Sequence, residues 1–179
     1  MIALIVFLTC LFSVIWIGVL SGMSDFKGMT IPNWHSGFVL SVFFLCYLLL
    51  WFLGGDHVFA SLSSHLLSAL IVFVVTLGMF MAGGLGAADS KLGTSYALWV
   101  GLKGLLPFLF YMALAGGVLA LIAILLRRFK PCKAPRDGGW IARVQAGESR
   151  VPYGIAIVVG ALASFVKIGY LDFGVWGSF

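Results

Sequence analysis

The chain has 179 residues, 62% of them apolar and 9% charged, with a mean hydropathy of +1.14 and a net charge of +5. A water-soluble domain of this size carries about a quarter charged residues, so composition excludes a soluble fold and places the chain in lipid. Three widely separated cysteines (Cys10, Cys46, Cys132) offer no Cys-x-x-Cys spacing, no zinc site and no disulfide framework.

Uncharged runs occupy 1–24, 28–55, 57–88, 92–102, 104–126 and 151–166, and a helix crosses the bilayer with about 20 apolar residues. The first run is not a secretory signal, because no basic residue precedes it and the first is Lys27. It reads as a retained span over 2–23. Spans two and three follow at 34–53 and 58–81. The stretch "GGLGAADSKL" then interrupts the apolar sequence, and a fourth span over 88–102 reaches crossing length only if it opens at Asp89 or just before. A fifth span covers 105–126. The sixth extends over 151–171 if Lys167 lets its charged end snorkel outward. Residues 127–150 form the one sizeable polar segment, with seven basic and two acidic residues. Pro131, Pro135 and the Gly138-Gly139 pair break any long helix there. It reads either as a topology anchor against anionic headgroups or as a dock for a partner protein. The expectation is an all-α, polytopic membrane protein, a single transmembrane domain over 1–179.

Six spans impose a parity. Connections after spans one, three and five share one face, and they collect Lys27, Lys91, Arg127, Arg128, Lys130, Lys133, Arg136, Arg143 and Arg150. Only Lys103 and Lys167 fall on the other face. The excess of basic residues marks the first face as cytoplasmic, which puts both termini outside and gives the basic charge a membrane role, with no nucleic-acid partner.

Of the six acidic residues, Asp25 in "SGMSDFKGMTIPNW" and Asp89 fall on the inner face without belonging to the basic segment. Parity brings them to one membrane depth. Two close carboxylates cannot both ionise cheaply, so such a pair holds a general acid and a general base together. It can activate water against a peptide carbonyl and protonate the leaving nitrogen. No Ser/His/Asp or Cys/His set competes, since His35 lies near the inner face and His57 and His65 towards the outer one. Gly83, Gly84 and Gly86 let backbone approach closely for want of a Cβ. Pro32 suits the first turn of span two, "VPYG" starts span six, and Tyr153 sits at interface depth. Lys27 and Lys91 read as inner-face anchors, with assistance to the dyad a secondary role. Each feature also has an ordinary reading: glycines as turn residues, and a lone interfacial aspartate as merely solvated.

"SDFKGMTIPN", then "GLGAADSKL", then "VPYGIAI" together resemble the prepilin peptidase family of bacterial membrane aspartic proteases, in particular its short, peptidase-only branch serving Tad/Flp-type pilus assembly. The most specific part is the ordered pair, an Asp several residues before Ile31-Pro32-Asn33 and a second Asp in a glycine-rich stretch followed by Lys91. The resemblance implies that Asp25 and Asp89 are the catalytic aspartates, with Gly84, Gly86, Ala88, Lys91, Lys27, Pro32, Asn33 and Tyr153 in support. It implies no metal or other cofactor and a location in the bacterial inner membrane. The substrate would be a type IV (Flp-like) prepilin, whose basic leader is cut after a glycine on the cytoplasmic side, before the hydrophobic stem. Pilus-assembly machinery is a further possible partner. Two departures stand out. Ala88 replaces the glycine that usually precedes the second Asp, leaving less room there. The cysteine-rich insertion of the larger, N-methylating members is missing, so no methyltransferase activity is expected. The alternatives are a small proton or cation transporter, which needs ionisable groups near the midplane, and a non-catalytic scaffold subunit of a pilus or secretion machine.

Overall fold

The structure, a computed structural model, describes residues 1–177; residues 178 and 179, the end of the chain placed outside by parity, lie beyond the described residues. Helix α1 covers Ile2–Gly28, α2 Asn33–Leu53, α3 Leu62–Met81, α4 Ala87–Phe129, α5 Trp140–Gln145, α6 Tyr153–Ile168 and α7 Phe173–Trp176, with a 3-10 turn at Asp56–Val58. There is no strand among the described residues. Helices α1 to α4 are each long and apolar enough to cross a membrane, and α6 is a shorter apolar helix. The protein is an all-helical, multi-pass membrane protein.

The 43-residue α4 is two crossings joined at one residue. Gly101 has φ 60 and ψ −175, a region essentially closed to residues with a Cβ. Contacts with α6 trace the reversal. Before Gly101, Gly93 lies against Ile157 and Trp99 against Phe165. After it, Gly104 lies against Ser164 and Ile168, Gly160 against Phe108 and Met112, and Gly116 against Tyr153 and Ala156. Residues 87–100 therefore run one way and 102–129 return. The first end of α3 clamps this turn: the Ser64 hydroxyl accepts from the Leu102 N–H at 3.1 Å, and the His65 Nδ1 meets the Leu98 carbonyl at 2.7 Å. His65 is thus committed to the fold.

The first half of α4 is the core of the bundle. Its residues Ser95 to Gly101 are buried without a break, and α1, α2 and α3 each make a polar contact with it. The Tyr96 hydroxyl donates to the Val14 carbonyl of α1 at 2.8 Å. The Trp99 indole donates to the Val39 carbonyl of α2 at 2.9 Å. Thr76 of α3 and Ser90 share a hydroxyl–hydroxyl bond of 2.8 Å. In lipid such bonds and close packing hold helices together, because burial of apolar surface gains little there.

The observed boundaries correct several expected ones. Helix α1 continues to Gly28 rather than stopping near 23, because charge marks where a helix leaves lipid, not where its backbone bonds end. It stops at Met29, which turns left-handed with its N–H on the Asp25 carbonyl. Pro32 stands just before α2, with extended backbone, rather than in its first turn. The 3-10 turn delays α3 to Leu62, Lys103 lies inside the returning half of α4, and α6 ends at Gly169 with φ 94.

Gly101→Ala should cost about 1–3 kcal/mol from backbone strain, increased by a Cβ set 3.2 Å from the His65 ring. Gly117→Ala, in the returning half with nothing within 4 Å of its Cβ, should be neutral or slightly stabilising. Thermal unfolding of both variants in detergent micelles checks the contrast.

Candidate active site

Asp25 stands in the last turn of α1 and is only 5% exposed. Its Oδ2 accepts a 2.7 Å hydrogen bond from the Gly154 backbone N–H. Gly154 is the second residue of α6, where backbone N–H groups have no partner within the helix and the helix dipole favours an anion. The approach requires glycine: a Cβ at 154 would lie 2.9 Å from Asp25 Oδ2 and 2.9 Å from Ile31 Cδ1. Ile31, buried in the connection to α2, thus packs the other side of the same contact.

Asp89 is the third residue of α4, after the N-cap Gly86. Its carboxylate lies beside the Gly86 N-cap, at the position of the acidic residue of a capping box. A Cβ at Gly86 would stand 2.7 Å from Asp89 Oδ2. The rest of the glycine stretch makes the turn. Gly83, with φ 75, donates its N–H to the Phe80 carbonyl, and Gly84 donates to that of Met79, each at 2.9 Å. This is the Schellman ending of a helix, here closing α3 so that α4 can begin three residues further on. Ala88 is helical, half-buried and packed against the core.

Helix α6 measures the relative depth of the two carboxylates. It runs parallel to the first half of α4, and Ile157 abuts Gly93. Three residues back on α6 is Gly154, which holds Asp25. Four residues back on α4 is Asp89. At 1.5 Å per residue these steps are about 4.5 and 6 Å, so both aspartates lie at one level, and Asp89 feels the Asp25 charge. Neither takes part in an ion pair; the pair formed among the described residues, Arg143–Glu148 at 4.0 Å, is in the basic segment.

Lys91 donates to Asn33 Oδ1 at 3.1 Å, which ties the start of α2 to the first turns of α4. Lys27 lines an apolar groove of about 330 Å³ between α1 and α6, with Gly22, Phe26 and Ile155. Tyr153 turns its ring towards Gly116 of the returning half of α4, while its neighbour Gly154 serves Asp25. Gly154 itself escaped sequence reasoning, although it closes the "VPYG" segment taken as the start of span six. His35 is buried and bonds Ser21, one turn before Asp25, at 2.8 Å. No group of three or more His, Cys, Asp or Glu side chains able to hold a metal is found among the described residues.

Residues 2–121 match the type IV leader peptidase family. No curated protein and no solved structure matches the chain. The matched stretch is more than half of the chain and extends from α1 well into the returning half of α4, with buried Asp25 and half-buried Asp89 inside it. With its membrane-crossing helices and a match of that extent, the chain belongs to the type IV leader peptidase family, whose activity is that of a peptidase.

Proposed function

We propose that the protein is a membrane aspartic endopeptidase with Asp25 and Asp89 as its catalytic pair, removing the basic leader of type IV (Flp-like) prepilins after a glycine. One observation carries this reading: two carboxylates from separate helices, Asp25 buried and Asp89 half-buried, sit at one depth within each other's electrostatic reach, and neither is paired with a cation among the described residues. A merely solvated interfacial aspartate would be exposed, whereas Asp25 is buried. Burying charge without a counter-ion is costly, and such groups concentrate at functional sites.

The chemistry follows from the pairing. Close carboxylates share a proton, since ionising both brings like charges together. The ionised member takes a proton from a water held between them as that water attacks the scissile carbonyl. The protonated member supplies a proton to the reacting amide, and the C–N bond breaks as its nitrogen is protonated. The Gly154 N–H fixes the Asp25 carboxylate during this exchange, and the Gly86 N-cap lies beside that of Asp89. The substrate's apolar stem lies against the helices, with its leader at the end of the bundle that carries Lys27, Lys91 and the 127–150 segment. That end faces the cytoplasm of a bacterial inner membrane, by the bias of basic residues.

Asp25→Asn and Asp89→Asn should each lower leader removal by at least about 100-fold while leaving the protein inserted and folded. The assay is the gel shift of a co-expressed prepilin, and full processing by either variant would exclude the pair. Gly154→Ala should lower the rate by about 100-fold, the cost of displacing a reacting group by about 1 Å, with unchanged membrane insertion. Orientation has its own check. With Cys10 and Cys46 replaced by Ala, Cys132 in the basic segment should react with a membrane-impermeant maleimide only once the inner membrane is opened.

A further inference from the structure

We propose that α5 is a clamp that sets Asp25, with Trp140 as its positioning residue. This rests on the peptidase reading above and gives the 127–150 segment a role beyond membrane anchoring or partner docking. Although the segment is mostly polar, it folds a six-residue helix whose Trp140 and Val144 are buried, at 3% and 1% exposure. With Ala123 they form a small apolar nucleus apart from the main core. The residues packed on that nucleus include Met29 and Val151, and these flank the Asp25 contact from opposite sides.

On the α1 side, Met29 donates its N–H to the Asp25 carbonyl at 2.7 Å while its side chain packs on the nucleus. The Phe26 ring, next to Asp25, lies 5.8 Å from the Trp140 ring. On the α6 side, the Trp140 indole N–H donates to the Arg150 carbonyl at 3.0 Å. Arg150, Val151 and Pro152 lead directly into Tyr153 and Gly154, whose N–H holds the carboxylate. One side chain therefore fastens the end of α1 and the start of α6, and the Asp25–Gly154 hydrogen bond spans the join between them. Apart from the clamp, this hydrogen bond, the Gly154–Ile31 packing and the close approach of Gly22 to Ile155 fix the relation of the two helix ends. Of these the clamp alone grips both segments next to Asp25 and Gly154 from outside the contact, and its loss would loosen the carboxylate.

The Trp140→Phe variant keeps an aromatic ring in the nucleus and removes the indole donor. It should lower kcat by about 3- to 10-fold, the worth of one hydrogen bond, with KM unchanged because the substrate is not touched. Trp140→Ala, which also empties the nucleus, should lose more. Lys133→Gln, which alters only the segment's charge, should process prepilin at the wild-type rate. Hydrogen–deuterium exchange in micelles supplies a readout that requires no substrate: the Gly154 amide should exchange faster in Trp140→Phe than in the wild type. Wild-type rate and unchanged exchange in Trp140→Phe would overturn the clamp, as would a lower kcat with Gly154 still protected. If instead the wild type cleaves no prepilin, or Asp25→Asn cleaves it fully, the peptidase reading fails, and Gly154 exchange still decides whether Trp140 holds the join.

Discussion

A carboxylate placed inside a lipid-embedded bundle has lost water and needs something in its stead. For Asp25 that replacement is the Gly154 N–H, an unpaired donor at a helix start. The arrangement constrains much of the inner half of the molecule. Helix α6 must begin level with the last turn of α1, which fixes how far the connection from α4 can reach. Position 154 must be glycine, since a Cβ would enter both Asp25 and Ile31. Ile31 is held in turn by the Pro32-Asn33 start of α2, and Asn33 reaches Lys91 on α4. The motif residues around the site thus form a chain of contacts leading back to a single hydrogen bond.

The second aspartate depends on a constraint at the opposite end. Because α4 reverses within one residue at Gly101, its first half remains in the centre of the bundle, surrounded by α1, α2, α3 and α6. A span that diverged into a long loop would not need to be central. This half is about 21 Å long by its rise, shorter than the hydrocarbon core of about 30 Å. Its start at Ala87 is set back from the end of α3, which continues five residues past Thr76, the partner of Ser90. A short central helix among longer ones begins short of their ends, and Asp89, half-buried, stands in its first turn.

The crossings were legible because lipid imposes a coarse rule, no charge over about 20 residues, which a sequence displays openly. Parity then carried Asp25 and Asp89 to one face without any knowledge of packing. What escaped was governed by backbone geometry. Gly101 carries no signal apart from its flanking Lys103, because a lone glycine in an apolar run does not declare its φ. Gly154 is a donor through its backbone, which every residue but proline possesses, so its identity shows only once Asp25 is beside it. Helix α5 was hidden by the prolines and glycines around it, since six residues are too few for an amphipathic period to show. Trp140, a large apolar residue in a polar segment, was the trace it left.

The alanine at position 88 illustrates how backbone geometry distributes requirements along a glycine-rich stretch. The need for a missing Cβ falls on Gly83, which adopts a positive φ to end α3, and on Gly86, whose Cβ would strike Asp89. Position 88 is already in the first turn of α4, where alanine is the best helix former, and its methyl group packs on the core instead of facing a carboxylate. A glycine there would add freedom to the turn that carries Asp89, at a cost to the helix of about 1 kcal/mol. Ala88 exchanges that freedom for a firmer start to α4. With Asp89 seated on its own helix and Asp25 held by a neighbouring one, the relation between the two carboxylates is set by how firmly the helices themselves are held, at the join between α1 and α6.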